Sequence, residues 1–138
     1  TLINACKLSG KPELAKKVYK RAMRQGVTGS REVYLAAVGA CIRPDGSADL
    51  ETAMDIYSDL QRSDLTADTK ICGMLITIAG ICREMKAAIS IQEDMRFEGI
   101  EMDDQCWTSL IIAYVRNGDL AGAKQVCLAV SSCLCVWR

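Results

Sequence analysis

The sequence contains no histidine, one phenylalanine and two prolines, and aromatic residues make up 5% of its 138 residues. Without histidine the chain lacks the commonest metal ligand and the commonest general acid–base group. Because half of the residues are hydrophobic but few are aromatic, the core must be built from aliphatic side chains and cysteine. We therefore expect one ordered domain that is not an enzyme, has no catalytic residues and binds no cofactor.

Eight cysteines are present, a number that a disulfide framework or a metal site would also explain. Cys133 and Cys135 stand close together, but no third and fourth ligand accompany them, so we predict no metal site. The other six fall on apolar faces of predicted helices, where a free thiol acts as a small hydrophobic group, a usage typical of a reducing compartment: Cys6, Cys41, Cys72, Cys82, Cys106 and Cys127.

Two sets of apolar residues recur along the chain with the same period. Ala15, Ala53, Ala88 and Ala123, each followed three places later by Val or Ile, are separated by steps of 38, 35 and 35 residues. Leu2, Ala37, Leu75 and Leu110 are separated by steps of 35, 38 and 35 residues. A fixed period of this size is the signature of a helical repeat protein. The three extra residues fall in the turn around Pro44.

The spacing of apolar residues predicts an all-α fold, a right-handed α–α solenoid of antiparallel helix pairs. Helices are predicted over residues 12–25, 31–43, 49–63, 69–82, 84–98, 104–116 and 119 to about 130, and strand signals are absent. The predicted units are 1–30 (partial), 31–68 (with the three-residue insertion), 69–103 and 104–130 (partial), followed by an atypical tail at 131–138.

Both ends of the sequence are unusual for a repeat array. Thr1 opens inside a helical pattern without an initiator Met, so we expect the N-terminus and any targeting peptide to lie outside this fragment. The apolar tail at 131–138 is the reverse of a polar cap, and we interpret it as a truncation or a gene-model artefact. The apolar run around residues 74–81 is too short to cross a bilayer, so no membrane partner is expected.

Short motifs in the predicted units resemble pentatricopeptide repeats of the P class. Val33-Tyr34-Leu35 and residues 106–111 (CWTSLI) are similar to that family's T-Y-N-T-L-I opening, and residues 116–120 (RNGDL) to its A-G-R-L-D turn. Residues 65–68 (LTAD) and 100–103 (IEMD) are similar to its I-K-P-D ending. A tetratricopeptide array is less consistent with the chain, because its units run to about 34 residues and favour a proline near their end.

The resemblance implies that successive first helices hold single-stranded RNA, about one base per unit. A finer resemblance is to the chloroplast members of the family that mature the transcript of the Rubisco large subunit. It is carried by residues 15–19, 26–27, 29, 32–34, 41 and 78–80. The implied function is stabilisation or processing of an organellar mRNA by passive occupancy, in the chloroplast or, alternatively, the mitochondrion.

The resemblance also assigns residues to roles. The base-facing positions are Ser30, Leu35, Asp68, Gly73, Asp103 and Thr108; the base-stacking positions are Glu32, Lys70 and Gln105; and the RNA-backbone positions are Arg43 and Arg116. Asp68 and Asp103 also precede predicted helices, where an aspartate caps free N–H groups. Neither Leu35 nor Gly73 has a side chain that can hydrogen-bond to a base.

The distribution of charge agrees with an RNA-binding face, although the chain as a whole is neutral. In the predicted first helices of the second to fourth units and at Arg83, directly after one of them, the net charge is +3, whereas the second helices hold most of the acids. Phosphate binding requires such a basic side. Two alternatives remain open: a scaffold that holds a protein partner, and structural spacer units within a longer array.

Overall fold

The structure, a computed structural model, describes residues 12–26 and 31–136. Seven helices occupy these ranges: α1 (Pro12–Arg24), α2 (Arg31–Gly39), α3 (Leu50–Arg62), α4 (Thr69–Ile81), α5 (Met85–Phe97), α6 (Asp104–Arg116) and α7 (Leu120–Val136). The chain is an all-α helical repeat solenoid, as predicted. In the described residues, pairing of the strand type is limited to one isolated antiparallel bridge between Ile42 and Ala48.

The helices form two rows. The inner row consists of α2, α4 and α6, with α4 packed between the other two. The outer row consists of α1, α3, α5 and α7, and each of its helices packs against the inner helix of its own pair or of the next pair. None of the helices in the described residues combines the length and apolar character needed to span a bilayer.

The two periodic sets of residues lie in the core between the rows. Ala53, Ala88, Leu75 and Leu110 have no exposed surface, and Ala37 is also buried. Leu2 lies outside the described residues. Because each set supplies one apolar residue per pair, the pairs stack on a continuous core rather than each folding around its own.

Four of the described helices begin with the same cap, the fourth being α7, where Asp119 accepts from the N–H group of Gly122 at 2.8 Å. The side chains of Asp49, Asp68 and Asp103 accept hydrogen bonds from the backbone N–H groups of Thr52, Ile71 and Cys106, at 3.1, 2.9 and 2.8 Å. These bonds satisfy N–H groups that have no partner within the helix. Asp68 and Asp103 are therefore confirmed as helix caps.

The turn after α2 differs from its prediction. The helix predicted over 31–43 ends at Gly39, and residues 40–49 link it to α3, whereas three residues join α4 to α5. Arg43 precedes Pro44, a position that disfavours helical backbone angles. Its N–H group instead donates to the carbonyl of Ser47 at 2.8 Å, beside the Ile42–Ala48 bridge.

The last helix also differs from its prediction, because α7 continues to Val136 rather than ending near residue 130. Cys127, predicted on an apolar buried face, is exposed there, since no described element covers that side of α7. Cys41, Cys72 and Cys106 are buried as free thiols and Cys82 is half-buried; Cys6, Cys133 and Cys135 are not among the cysteines whose side chains are described.

Candidate nucleic-acid interface

The inner row leaves one stripe of side chains uncovered. On α4 these are Lys70, Met74, Thr77 and Ile81, which are exposed or half-buried, whereas most of the other residues of the helix are buried. The intervals of four, seven and eleven residues place them on one face of a helix. We call the resulting surface the open face and define it by Lys70, Met74, Thr77 and Ile81 of α4 with Gln105, Ser109, Ile112 and Arg116 of α6.

A hydroxyl pair lies in the middle of the open face. Oγ1 of Thr77 is 2.9 Å from Oγ of Ser109, and it is also 2.9 Å from the carbonyl oxygen of Gly73. The pair links α4 to α6 and makes the centre of the face polar. Sequence reasoning missed both residues, although helical periodicity counted from Lys70 and Gln105 would have placed them on this face.

The starts of the inner helices lie side by side. A guanidinium nitrogen of Arg31, at the start of α2, donates to the hydroxyl of Thr66, just before α4, at 3.1 Å. In the same way, the Thr69 hydroxyl at the start of α4 donates to the carbonyl of Glu101, just before α6, at 3.1 Å. The inner helices therefore run parallel, with their N-terminal ends along one edge of the open face.

The predicted base-facing positions gather near that edge. Asp68 is half-buried and Asp103 exposed, and both are engaged as caps. Leu35 is half-buried and packs against the core, whereas Thr108 is exposed. Ser30 lies outside the described residues. Their contact with bases stays a prediction.

Gly73, the remaining predicted base-facing residue, is buried beneath α6. A Cβ atom built on it would lie 3.0 Å from Sγ of Cys106. The predicted stacking positions differ from it: Glu32, Lys70 and Gln105 are all exposed at the starts of α2, α4 and α6. This edge therefore offers long polar side chains to a ligand, with Gly73 set behind them.

The two predicted backbone-binding arginines follow the opposite ends of the inner helices. Arg116 is the last residue of α6, and Arg43 lies in the turn beyond α2; both are exposed. The ends are neighbours, because the thiol of Cys82, after α4, donates to the carbonyl of Ala48 in the α2–α3 turn at 3.3 Å. Since α6 rises about 1.5 Å per residue, Arg116 and Gln105 lie about 16 Å apart along the open face. Basic residues thus stand at both of its edges.

Two carboxylates of the outer row accept hydrogen bonds from tyrosines of the same row. The phenol of Tyr19 in α1 donates to Asp59 in α3 at 3.2 Å, and the phenol of Tyr57 in α3 donates to Asp94 in α5 at 3.2 Å. Burial, together with the neighbouring carboxylate, raises the pKa of both phenols, which keeps them protonated as donors. These tyrosines pack in the core, as predicted, and are not available to stack on a base.

The described residues show no arrangement suited to metal or thiol chemistry. Among them, no group of three or more Cys, Asp and Glu side chains is placed to hold a metal ion. Burial raises the pKa of the Cys41, Cys72 and Cys106 thiols to about 12, so these cysteines stay protonated near neutral pH. What the open face offers is a surface for binding: hydroxyls, amides and cations.

Comparison with known proteins places this arrangement among repeat proteins. A family model described as a pentatricopeptide repeat domain matches residues 90–131, and one described as a PPR repeat matches residues 1–27; together they match half of the chain. The chain is 37% identical over 65 residues to the chloroplastic pentatricopeptide repeat-containing protein MRL1 of Arabidopsis thaliana. That match covers 47% of this chain but 6% of MRL1.

Proposed function

Since the chain belongs to the pentatricopeptide repeat family, we propose that it binds single-stranded RNA along the open face. The observation that carries the proposal is the presence of exposed cations on the open face, next to outer helices α3 and α5 that are acidic or neutral. Lys70 and Arg116 are exposed on the open face, while Asp59 and Asp94 are held by tyrosines in the outer row. A polyanion is attracted to these cations more than to α3 and α5, which together carry five carboxylates against three cations; the outermost helix α1 is itself basic.

The RNA backbone in this proposal follows the edge formed by the C-terminal ends of the inner helices. Arg43 and Arg116, both exposed, contact phosphates there. Guanidinium groups suit this role because their fixed donors match phosphate oxygens. Each contact releases counterions from the strand, which makes binding sensitive to salt.

The bases in this proposal meet the opposite edge, at the helix starts. The base-facing pairs are Leu35 with Asp68 and Gly73 with Asp103. Thr108 and Ser30 each belong to a further pair. A carboxylate only accepts hydrogen bonds, so Asp68 and Asp103 favour bases that present an N–H group, as U and G do. Because each is already a cap, its second oxygen would meet the base. Glu32, Lys70 and Gln105 flank the bases at the stacking positions.

The finer parts of the proposal concern the whole protein. We place the chain in the P class, with units 1–30, 31–68, 69–103 and 104–130, as a segment of a longer chloroplast protein. Binding alone is its activity: occupancy stabilises a transcript or shapes its processing, with no chemical step. The Rubisco large-subunit mRNA is the proposed target, supported by the similarity to a chloroplastic relative.

Filter binding with paired charge reversals tests the proposal. A single-stranded RNA pool that contains the leader of the proposed transcript is retained by the parent chain, and we expect Arg43→Glu/Arg116→Glu to lose most of that retention. The matched control is Lys86→Glu/Lys124→Glu, which reverses two exposed cations of the outer row. We expect the control to bind as the parent does.

Two outcomes would contradict RNA binding. One is no salt-dependent retention of RNA by the parent chain or by a longer chain that includes it. The other is an equal loss in the two double variants, which would show that net charge and not the open face attracts the strand. If a protein partner were captured and kept by Arg43→Glu/Arg116→Glu, the scaffold alternative would replace the proposal.

A further inference from the structure

Neighbouring outer helices are joined by the same hydrogen bond twice in succession. We use the word step for the contact between one outer helix and the next. Tyr19 donates to Asp59 between α1 and α3, and Tyr57 donates to Asp94 between α3 and α5, each at 3.2 Å. In both cases the tyrosine stands four residues after the periodic alanine of its helix, and the aspartate stands six residues after the alanine of the next helix. We call this tyrosine–aspartate bond a rung.

The third step, between α5 and α7, has no rung. The two equivalent positions hold Gln92 and Ala129, and an alanine side chain has no polar atom to accept a hydrogen bond. A cavity of about 660 Å³ lies at this step instead, and Gln92 and Ala129 both line it. Trp107 of α6 and Arg96 of α5 form other parts of its wall.

The second half of α7 is also less buried than the matching parts of α3 and α5. Leu60 of α3 and Met95 of α5, which occupy equivalent repeat positions, are almost fully buried. Val130 holds that position in α7 and is only half-buried, and Leu128 beside it is 60% exposed. Since α7 is the last described helix, no following pair covers these residues, and only α5 and α6 remain to pack the second half of α7.

The inner side of the third step is tightly packed. A Cβ atom built on Gly80 of α4 would lie 3.0 Å from Cβ and 3.1 Å from Cα of Ala113 in α6, so the two backbones are in close contact. The Thr77–Ser109 hydroxyl pair ties the same two helices at 2.9 Å. At the third step, α4 and α6 are therefore in close contact, whereas α5 and α7 are not joined by a rung.

We propose that the array bends at this step: the second half of α7 moves towards and away from α5 while α4 and α6 stay in contact as the pivot. Opening and closing of the cavity accompany the motion, since Gln92 of α5 and Ala129 of α7 both line it. The bend changes the angle between α4 and α6 and with it the shape of the open face. This proposal concerns the array alone and does not depend on RNA binding.

Restoring the rung tests the proposal. Gln92→Tyr/Ala129→Asp introduces the missing pair, and Gln92→Tyr and Ala129→Asp alone are its controls. Opening is followed by native-state hydrogen exchange of the amides in the middle of α7. It is followed independently by acrylamide quenching of Trp107, in a Trp137→Phe background that leaves one tryptophan. If the two substitutions acted independently, their effects on the exchange rate would multiply. We expect the double variant to exchange about five-fold more slowly than that product, because one net hydrogen bond stabilises the closed state by about this factor.

A variant that removes an existing rung tests the proposal even if the double variant fails to fold. Tyr57→Phe removes the rung between α3 and α5, and we expect amides of α5 to exchange about five-fold faster. The proposal is overturned if the amides of α7 in the parent exchange as slowly as those of α3. It is equally overturned if the double variant shows no effect beyond its two single substitutions, or if Tyr57→Phe leaves exchange in α5 unchanged.

Discussion

Two glycines of α4 set how closely the inner helices pack, and their replacement by alanine should have different consequences. At Gly80 an added Cβ would meet Cβ and the backbone Cα of Ala113, at 3.0 and 3.1 Å. At Gly73 it would meet Sγ of Cys106 at 3.0 Å, while the backbone Cα of that residue is 4.0 Å away. The sulfur is a single side-chain atom, whose displacement would cost its 3.3 Å hydrogen bond to the carbonyl of Thr69, whereas a backbone cannot move without shifting its whole helix.

The expected difference follows from the size of the overlap. Carbon atoms pack best at about 3.5–4.0 Å, so Gly80→Ala must separate α4 from α6 by about 0.5–1 Å. Overpacking of this kind costs about 1–3 kcal/mol. Alanine also favours a helix over glycine by about 1 kcal/mol, and this gain applies to both glycines. We therefore expect Gly80→Ala to be less stable than Gly73→Ala by about 1–2 kcal/mol.

Urea unfolding followed by circular dichroism measures this difference directly. Each variant is compared with the parent at its midpoint, with the slope checked to be unchanged so that the difference reflects stability alone. Equal stability of the two variants would refute the reasoning. A larger loss at Gly73 than at Gly80 would also refute it, because the sulfur and not the backbone would then be the rigid neighbour.

Three further predictions concern single residues. Tyr57→Phe should lower the free energy of unfolding by about 1 kcal/mol, because it removes the hydrogen bond to Asp94, and an unchanged urea midpoint would contradict this. Gly118→Ala should lower that free energy by about 1 kcal/mol, since the backbone angle φ of Gly118 is 78°; a thermal midpoint equal to the parent's would contradict it. Iodoacetamide at pH 8 should label the exposed Cys127 before the buried Cys72, whose pKa is raised to about 12 by burial, and mass spectrometry of timed samples would expose the reverse order.

The repeat architecture was predictable because it depends on local rules that recur along the chain. Each periodic alanine is small and apolar where a helix must lie close to its neighbours, and Asp68 and Asp103 precede helices that need a cap. Apolar periodicity, caps and a constant period all point to the same stacked helix pairs. The exposed positions of Lys70 and Arg116 follow from the same periodicity.

What escaped prediction depends on contacts between residues that are far apart in the sequence. Thr77 and Ser109 are 32 residues apart, and their hydroxyls meet only because α4 and α6 stack in register. The rung from Tyr57 to Asp94 spans 37 residues in the same way. Sequence reasoning correctly made Tyr57 a packing residue, but it had no means to identify the acceptor for its phenol.

The C-terminal end of α2 was predicted wrongly for a different reason. The apolar neighbours of Arg43 continue the helical pattern, so periodicity extended α2 to residue 43, whereas the helix ends at Gly39. The restriction that Pro44 imposes on its predecessor opposes the pattern at Arg43, and the preceding Ile42 belongs to a turn closed by the Ile42–Ala48 bridge. Gly73 was given a base-facing role from family resemblance, and its burial follows from the close approach of α6, which no single-chain pattern reveals.

The central claim is that phosphates are held by the inner row and not by the outer row, and the salt dependence of RNA affinity tests it most directly. For single strands the slope of log K against log salt concentration is about −0.7 per phosphate contact. We predict that Arg43→Glu/Arg116→Glu makes this slope shallower by about 1.4, the share of two contacts, while Lys86→Glu/Lys124→Glu leaves it unchanged. The same slope in the parent and in Arg43→Glu/Arg116→Glu would contradict the account.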